Sequence, residues 1–143
     1  MYPRAKALGI IEHNDCILVE EYNEKHESGE GRYYRPLGGT IELGEYAAQT
    51  VMREFKEELG VTVEIGTYLG CLENIFQIGN TIGHEIVQLY SICFSNKELY
   101  KRNKITIAEG DTISYAVWIP IEMFLQKEKT LYPNGLTELL SKR

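Results

Sequence analysis

The segment from Gly39 to Val61 constrains this chain most, because it holds a helix whose two stripes have conflicting demands. At about 100° per residue, Ala47, Ala48, Val51, Met52, Phe55 and Leu59 share one apolar stripe of a helix expected over Tyr46 to Leu59. Gly60 is placed to stop it as a left-handed C-terminal residue. Glu54, Glu57 and Glu58 lie side by side on the adjoining stripe, with Glu58 at the border of the apolar face and expected to be partly buried. Glu54 and Glu58 are an i,i+4 like-charge pair and Glu54 and Glu57 an i,i+3 pair, each unfavourable by roughly 0.2–0.5 kcal/mol even when exposed. The helix dipole opposes anions in the last turn by roughly 0.3–1 kcal/mol each, and partial burial adds to the cost. A helix built for stability alone would carry lysines there. A divalent cation resolves the conflict, and an oxygen-only ligand set points to Mg2+ or Mn2+ rather than Zn2+.

Glutamate-rich helices are common and usually just solvated, so the three carboxylates alone do not decide the matter. The spacing does. Gly39, Glu45 and the run Arg53-Glu54-Phe55-Lys56-Glu57-Glu58-Leu59-Gly60-Val61 fit the pattern GX5EX7REUXEEXGU, with Phe55 and Val61 at the bulky U positions. The segment resembles the Nudix box without a mismatch, and Trp118-Ile119-Pro120 resembles a strand end found late in many Nudix domains.

That resemblance implies an α+β fold, an α/β/α sandwich with a mixed β-sheet and a loop–helix–loop catalytic motif, formed by residues 1–143 as a single domain. It also implies metal-dependent hydrolysis of a phosphoanhydride bond in a nucleoside diphosphate linked to another moiety, by water attack at phosphorus. Glu57 and Glu58 are then the principal metal ligands, with a further contact from the backbone carbonyl of Gly38. Glu54 either binds the metal, directly or through water, or takes the proton of the attacking water. Arg53 is expected to orient the carboxylates and pair with Glu45, or alternatively to contact phosphate. Glu85 and Glu109, outside the box, are candidates for the base or an additional ligand. Arg32 and Arg35 suit phosphate, while Tyr34 or its neighbour Tyr33, and Phe76 in the edge Glu73-Asn74-Ile75-Phe76, are candidate substrate contacts.

Along the rest of the chain, two strands are expected around a turn at His13-Asn14-Asp15, then a polar loop over Asn23 to Gly31 and a short extended piece from Tyr33 to Leu37. Strands are expected over Val61 to Leu72, Glu85 to Phe94 and Ile113 to Ile119, with a polar connection from Asn96 to Asp111. Short helical segments are expected over Pro120 to Phe124 and Leu136 to Leu140. Cys16, Cys71 and Cys93 sit in apolar stretches and read as small buried hydrophobes.

The net charge of −6 argues against a nucleic-acid polymer as partner and is compatible with a small phosphorylated, nucleotide-like substrate, since a bound cation inverts the local field. No apolar run approaches the roughly 18–20 residues that span a bilayer, and the N-terminal residues lack the apolar stretch of a signal peptide, so a cytoplasmic protein without membrane contact is expected. A homodimer is compatible with the resemblance.

Subgroup marks outside the box are absent. No proline lies between Val61 and Pro120, where ADP-ribose hydrolases carry one, and Phe76-Gln77-Ile78 holds no tyrosine of the kind that accompanies dinucleoside polyphosphate hydrolysis. Pro36-Leu37-Gly38-Gly39 departs from the usual Pro-Gly-Gly run. Two other readings stand beside the leading one: a housekeeping pyrophosphatase of nucleoside triphosphates, and a Nudix domain kept as a non-catalytic ligand sensor. A sensor typically loses box carboxylates, and all are present here.

Overall fold

The structure is a computed structural model that describes residues 2–24 and 26–143. Strand β1 (Arg4–Ile10) is central to a mixed four-stranded sheet ordered β5-β1-β7-β6, where β5 is Leu37–Thr40, β6 is Val63–Ile78 and β7 is Thr81–Phe94. It runs parallel to β7 and antiparallel to β5. The second sheet is antiparallel and ordered β2-β3-β9-β8, with β4 also paired to β3. Its strands are β2 (Glu12–His13), β3 (Cys16–Asn23), β4 (Arg32–Arg35), β8 (Lys104–Glu109) and β9 (Thr112–Pro120).

Strand alternation splits the apolar residues between two cores. Ala7 and Leu18 point to one side, where helix α1 (Ala47–Leu59) covers them with Val51 and Phe55. Leu8, Ile10, Ile17 and Val19 point to the other, where helices α2 (Ile121–Leu125) and α3 (Leu136–Ser141) bring Phe124, Leu136 and Leu140. This is the expected α/β/α sandwich.

The α1 boundaries have local causes. Gln49 reaches back to accept from the Tyr46 N–H at 2.8 Å, and Gly60, at φ 69°, donates to the Lys56 carbonyl at 3.0 Å. The buried face is narrower than the wheel suggests and rotated. Thr50 is fully buried, its hydroxyl bound to Glu45 at 2.6 Å, whereas Met52 lies outside the buried Thr50, Val51 and Phe55 face and is exposed.

Several expectations need correction. The connection from Asn96 to Asp111 is not irregular. It contains a 3-10 turn at Lys97–Lys101 and strand β8, whose Ile105 and Ile107 are buried. Strand β6 continues well past Leu72, and β7 begins before Glu85, so the two form one long hairpin closed by Gly79-Asn80. Cys71 and Cys93 are exposed and Cys16 is partly so, because neither helical layer extends over those positions. Among the described residues no helix is long and apolar enough to cross a membrane.

Candidate active site

An open cleft of about 650 Å³ lies where β5, α1 and β3 meet, and its lining divides by charge. Glu54 and Glu58 from α1, Glu20 from β3 and Glu109 from the β8–β9 hairpin supply carboxylates, while Lys6 from β1 and Arg35 from β4 supply cations. Gly38 and Gly39 form part of the wall. Gly39 leaves the space that the Glu54 carboxyl fills, since a Cβ there would occupy that position.

The electrostatics of the acidic side are unfavourable as they stand. Glu58 is pushed up to about 9, first by burial, then by hydrogen bonding with Glu54 and by the charges of Glu54, Glu20 and Glu109. Glu20 is itself buried, accepting from Tyr22 Oη at 2.7 Å and Ser114 Oγ at 2.6 Å. The Tyr22 hydroxyl is held well above its usual range by burial and by Glu20. Without a metal, therefore, burial and the neighbouring carboxylates favour the protonated form of Glu58. A divalent cation at this position would replace that proton, so the donor set fits a hard metal.

Arg53 organises the rest of the motif without entering the cleft. Its Nε donates to Glu45 at 2.7 Å, its Nη2 to Glu45 at 3.0 Å and the Thr40 carbonyl at 3.1 Å, and its Nη1 to Glu54 at 3.0 Å and Glu57 at 3.3 Å. Glu45 is pushed down to about 2, chiefly by the Arg53 hydrogen bonds and by Thr50. Glu57 projects to solvent, with 60% of its side chain exposed, and Arg53 Nη1 is its partner among the described residues. Among the described residues no three His, Cys, Asp or Glu side chains already stand together as a closed metal cage. Metal binding through Glu57 therefore requires a rotamer change at an exposed position.

The remaining candidates separate. Glu109 lines the cleft and Glu85 does not. Glu85, buried on β7, accepts from Arg35 Nη2 at 3.2 Å and lies 4.0 Å from Lys6 Nζ, so it holds the two cations of the cleft. Burial is the main cause lowering the Lys6 ammonium below its usual value. Arg32 is exposed and lines neither the cleft nor the cavity described next. Tyr34 is a core residue, edge-on to Phe124 and bound through its hydroxyl to Glu21 at 2.8 Å. It is Tyr33 that faces a second cavity, of about 360 Å³, together with His26, Arg35, Asn74, Phe76 and Tyr132. Arg35 borders both spaces.

Lys6 and Glu20 escaped sequence reasoning, whereas Asn74 lies in the edge Glu73-Asn74-Ile75-Phe76 that the sequence offered. For Glu20 a signal existed: alternation along β3 puts it on the same face as Leu18, an acid at a core-facing position.

A model of the NUDIX domain matches residues 2–140. The chain belongs to the NUDIX family. It is a Nudix hydrolase by family, and its box lies where the cleft is. No curated protein is similar enough in sequence to match it. Among solved structures, the Escherichia coli ORF135 protein is 22% identical, with a TM-score of 0.66 over 99% of this chain and 88% of that one. The MutT NUDIX hydrolase of Burkholderia pseudomallei is 21% identical, with a TM-score of 0.66 over 97% and 95%. A MutT protein of Methanosarcina mazei Go1 is 18% identical, with a TM-score of 0.64 over 98% and 92%. At these identities the likeness establishes the shared fold.

Proposed function

We propose that this Nudix hydrolase cuts a phosphoanhydride bond in a nucleoside diphosphate linked to another moiety, with Mg2+ or Mn2+ as cofactor. The observation that carries this is the divided cleft: the carboxylates of Glu54, Glu58, Glu20 and Glu109 gather on one side, opposite the cationic pair Lys6 and Arg35. Glu54, Glu57, Glu58 and the Gly38 carbonyl are the groups that would hold the metal. When bound, it would neutralise phosphate charge and acidify a water.

The protein's own groups do the remainder. Arg35 and Lys6, fixed by Glu85, grip phosphate oxygens and set the phosphorus over the carboxylates. Arg53 keeps Glu54 and Glu45 in register with β5 through the Thr40 carbonyl. Glu109, which borders the cleft from the end of β8, takes the proton of the attacking water. Glu85 is a positioning residue. The whole chain acts as one domain in this reading.

The test is release of phosphate, pyrophosphate and nucleoside monophosphate across nucleoside triphosphates, ADP-ribose, nucleotide sugars and dinucleoside polyphosphates. Turnover is expected on at least one nucleoside diphosphate-linked compound, abolished by chelation and by Glu58→Gln. Turnover confined to nucleoside triphosphates would favour the housekeeping alternative, and turnover insensitive to chelation would contradict the reading.

A further inference from the structure

Strand β9 pairs with β3 from Pro120 to Ala116, where Glu20 is the partner, and beyond that point it pairs with β8 alone, as far as Glu109 opposite Thr112. The β8–β9 tip therefore stands clear of the rest of its sheet, and it carries Glu109 to the cleft. Apolar packing does not anchor this tip. Ile113 and Tyr115 are exposed, and the Lys104 ammonium that lies 4.2 Å from the centre of the Tyr115 ring belongs to the same hairpin. Among the described residues, one side-chain hydrogen bond joins residues 108–115 to another strand: Ser114 Oγ donates to Glu20 Oε2 at 2.6 Å.

Glu20 is built to hold that bond. Tyr22 Oη donates to its other oxygen at 2.7 Å, and the Tyr22 ring is itself stacked on Tyr33 at 4.9 Å. Both bonds to Glu20 have the short lengths of charge-assisted O–H···O⁻ contacts. The carboxylate is buried on the face of β3 that carries Leu18, opposite the buried Ala116. An apolar side chain would be buried there without desolvating a charge, so packing alone does not call for an acid. Alternation fixes what the bond controls. Ser114 pairs with Ile107 and Thr112 with Glu109, so all four share one face of the hairpin. Ile107 is buried in the core beneath α1, which turns that face toward α1 and the cleft. Ser114 thus stands two residues, about 7 Å along the strand, from the position that pairs with Glu109.

We propose that Ser114 and Glu20 are positioning residues whose hydrogen bond latches the β8–β9 tip, and with it Glu109, against the cleft. Glu20, gripped by one hydroxyl on each oxygen, is the fixed point, and Glu109 is the group it places. Loss of the Ser114 hydroxyl leaves the tip attached through its own two strands alone, free to swing Glu109 away from the other carboxylates. The inference rests on the role given to Glu109 in the proposed reaction, while the latch itself is readable without turnover.

Hydrogen exchange of the whole protein, read by mass spectrometry, and steady-state kinetics with Mg2+ on the compound it turns over fastest test this in Ser114→Ala, Ser114→Thr, Glu109→Gln and the double variant Ser114→Ala/Glu109→Gln. Ser114→Ala is expected to speed exchange in the β8–β9 hairpin about tenfold and to leave the β6–β7 hairpin unchanged. It should lower kcat about tenfold with KM little altered, and Ser114→Thr, which keeps a hydroxyl, should restore both readings. In the Glu109→Gln background, Ser114→Ala should lower kcat no further, whereas a loss acting through Glu20 alone or through general destabilisation would add to that of Glu109→Gln. Unchanged exchange in the hairpin, or losses that multiply in the double variant, overturns the inference and leaves the hydrolase and Glu109 standing. Full turnover in Glu109→Gln removes the role of Glu109 and the positioning claim with it. Faster exchange confined to the hairpin, in a protein that turns over nothing, supports the latch and removes the hydrolase.

Discussion

The Glu54 carboxyl lies against the backbone of Gly39, in the space a Cβ at that position would need. The first residue of the box and its first helical carboxylate are thus a single packing unit. Gly39→Ala is expected to push Glu54 out of the cleft, lowering turnover at least about tenfold, while overpacking costs on the order of 1–3 kcal/mol of stability. Turnover and thermal midpoint measured together, beside Glu54→Gln, check this. An alanine variant with unchanged turnover would show that Glu54 needs no fixed position.

The proton on Glu58 sets a pH dependence with a definite sign. Its folded value is about 9, above the ordinary carboxylate range of about 4.3, so the metal-free folded state binds more protons than the unfolded chain between those values. This group's contribution is therefore fully present below about pH 4 and is lost as pH rises toward 9. A bound cation displaces the proton, so the rise in thermal midpoint on adding Mg2+ should grow with pH across that window. Glu58→Gln should flatten the growth. A Mg2+ effect independent of pH, or one that shrinks as pH rises, would contradict the assignment.

Glu85 and Glu109 are separable by the shape of a rate profile. Glu85 touches Arg35 and Lys6 and lies outside the carboxylate cleft, whereas Glu109 borders it. Glu85→Gln is expected to raise KM about tenfold, as a charge-assisted contact to Arg35 is lost, and to keep the pH dependence of kcat. Glu109→Gln is expected to lower kcat about 100-fold and to remove its acidic limb. Steady-state kinetics from pH 5 to 9 would distinguish them, and the reverse pattern would exchange the two roles.

What the sequence made legible was local. The like-charge stripe of Glu54, Glu57 and Glu58, the stop at Gly60 and the Arg53–Glu45 pairing depend on spacing within one short segment, and the structure places each accordingly. Strand β8 was missed although a local signal existed: Ile105 and Ile107 alternate with Lys104 and Thr106, but the charged flanks make the segment read as a loop. The second cavity was not legible. His26 from the β3–β4 connection, Asn74 from β6 of the other sheet and Tyr132 from the C-terminal segment come together through tertiary contacts that no local pattern encodes. Tyr34 and Tyr33 illustrate the same limit. Adjacent residues on a strand point oppositely, and which of them enters the core is fixed by the sheet's neighbours, here Phe124.

Hydrolysis in 18O-labelled water tests the central claim most directly. The purified protein would be incubated with Mg2+ and the nucleoside diphosphate-linked compound it turns over fastest, with Glu58→Gln run alongside, and the products weighed by mass spectrometry. The account predicts one labelled oxygen per turnover on a phosphoryl product and at least about a 100-fold slower reaction in the variant. A phosphoanhydride cut leaves a phosphate on each product, so release of a phosphate-free product carrying the label, or equal rates in the two proteins, would contradict water attack at phosphorus in this cleft.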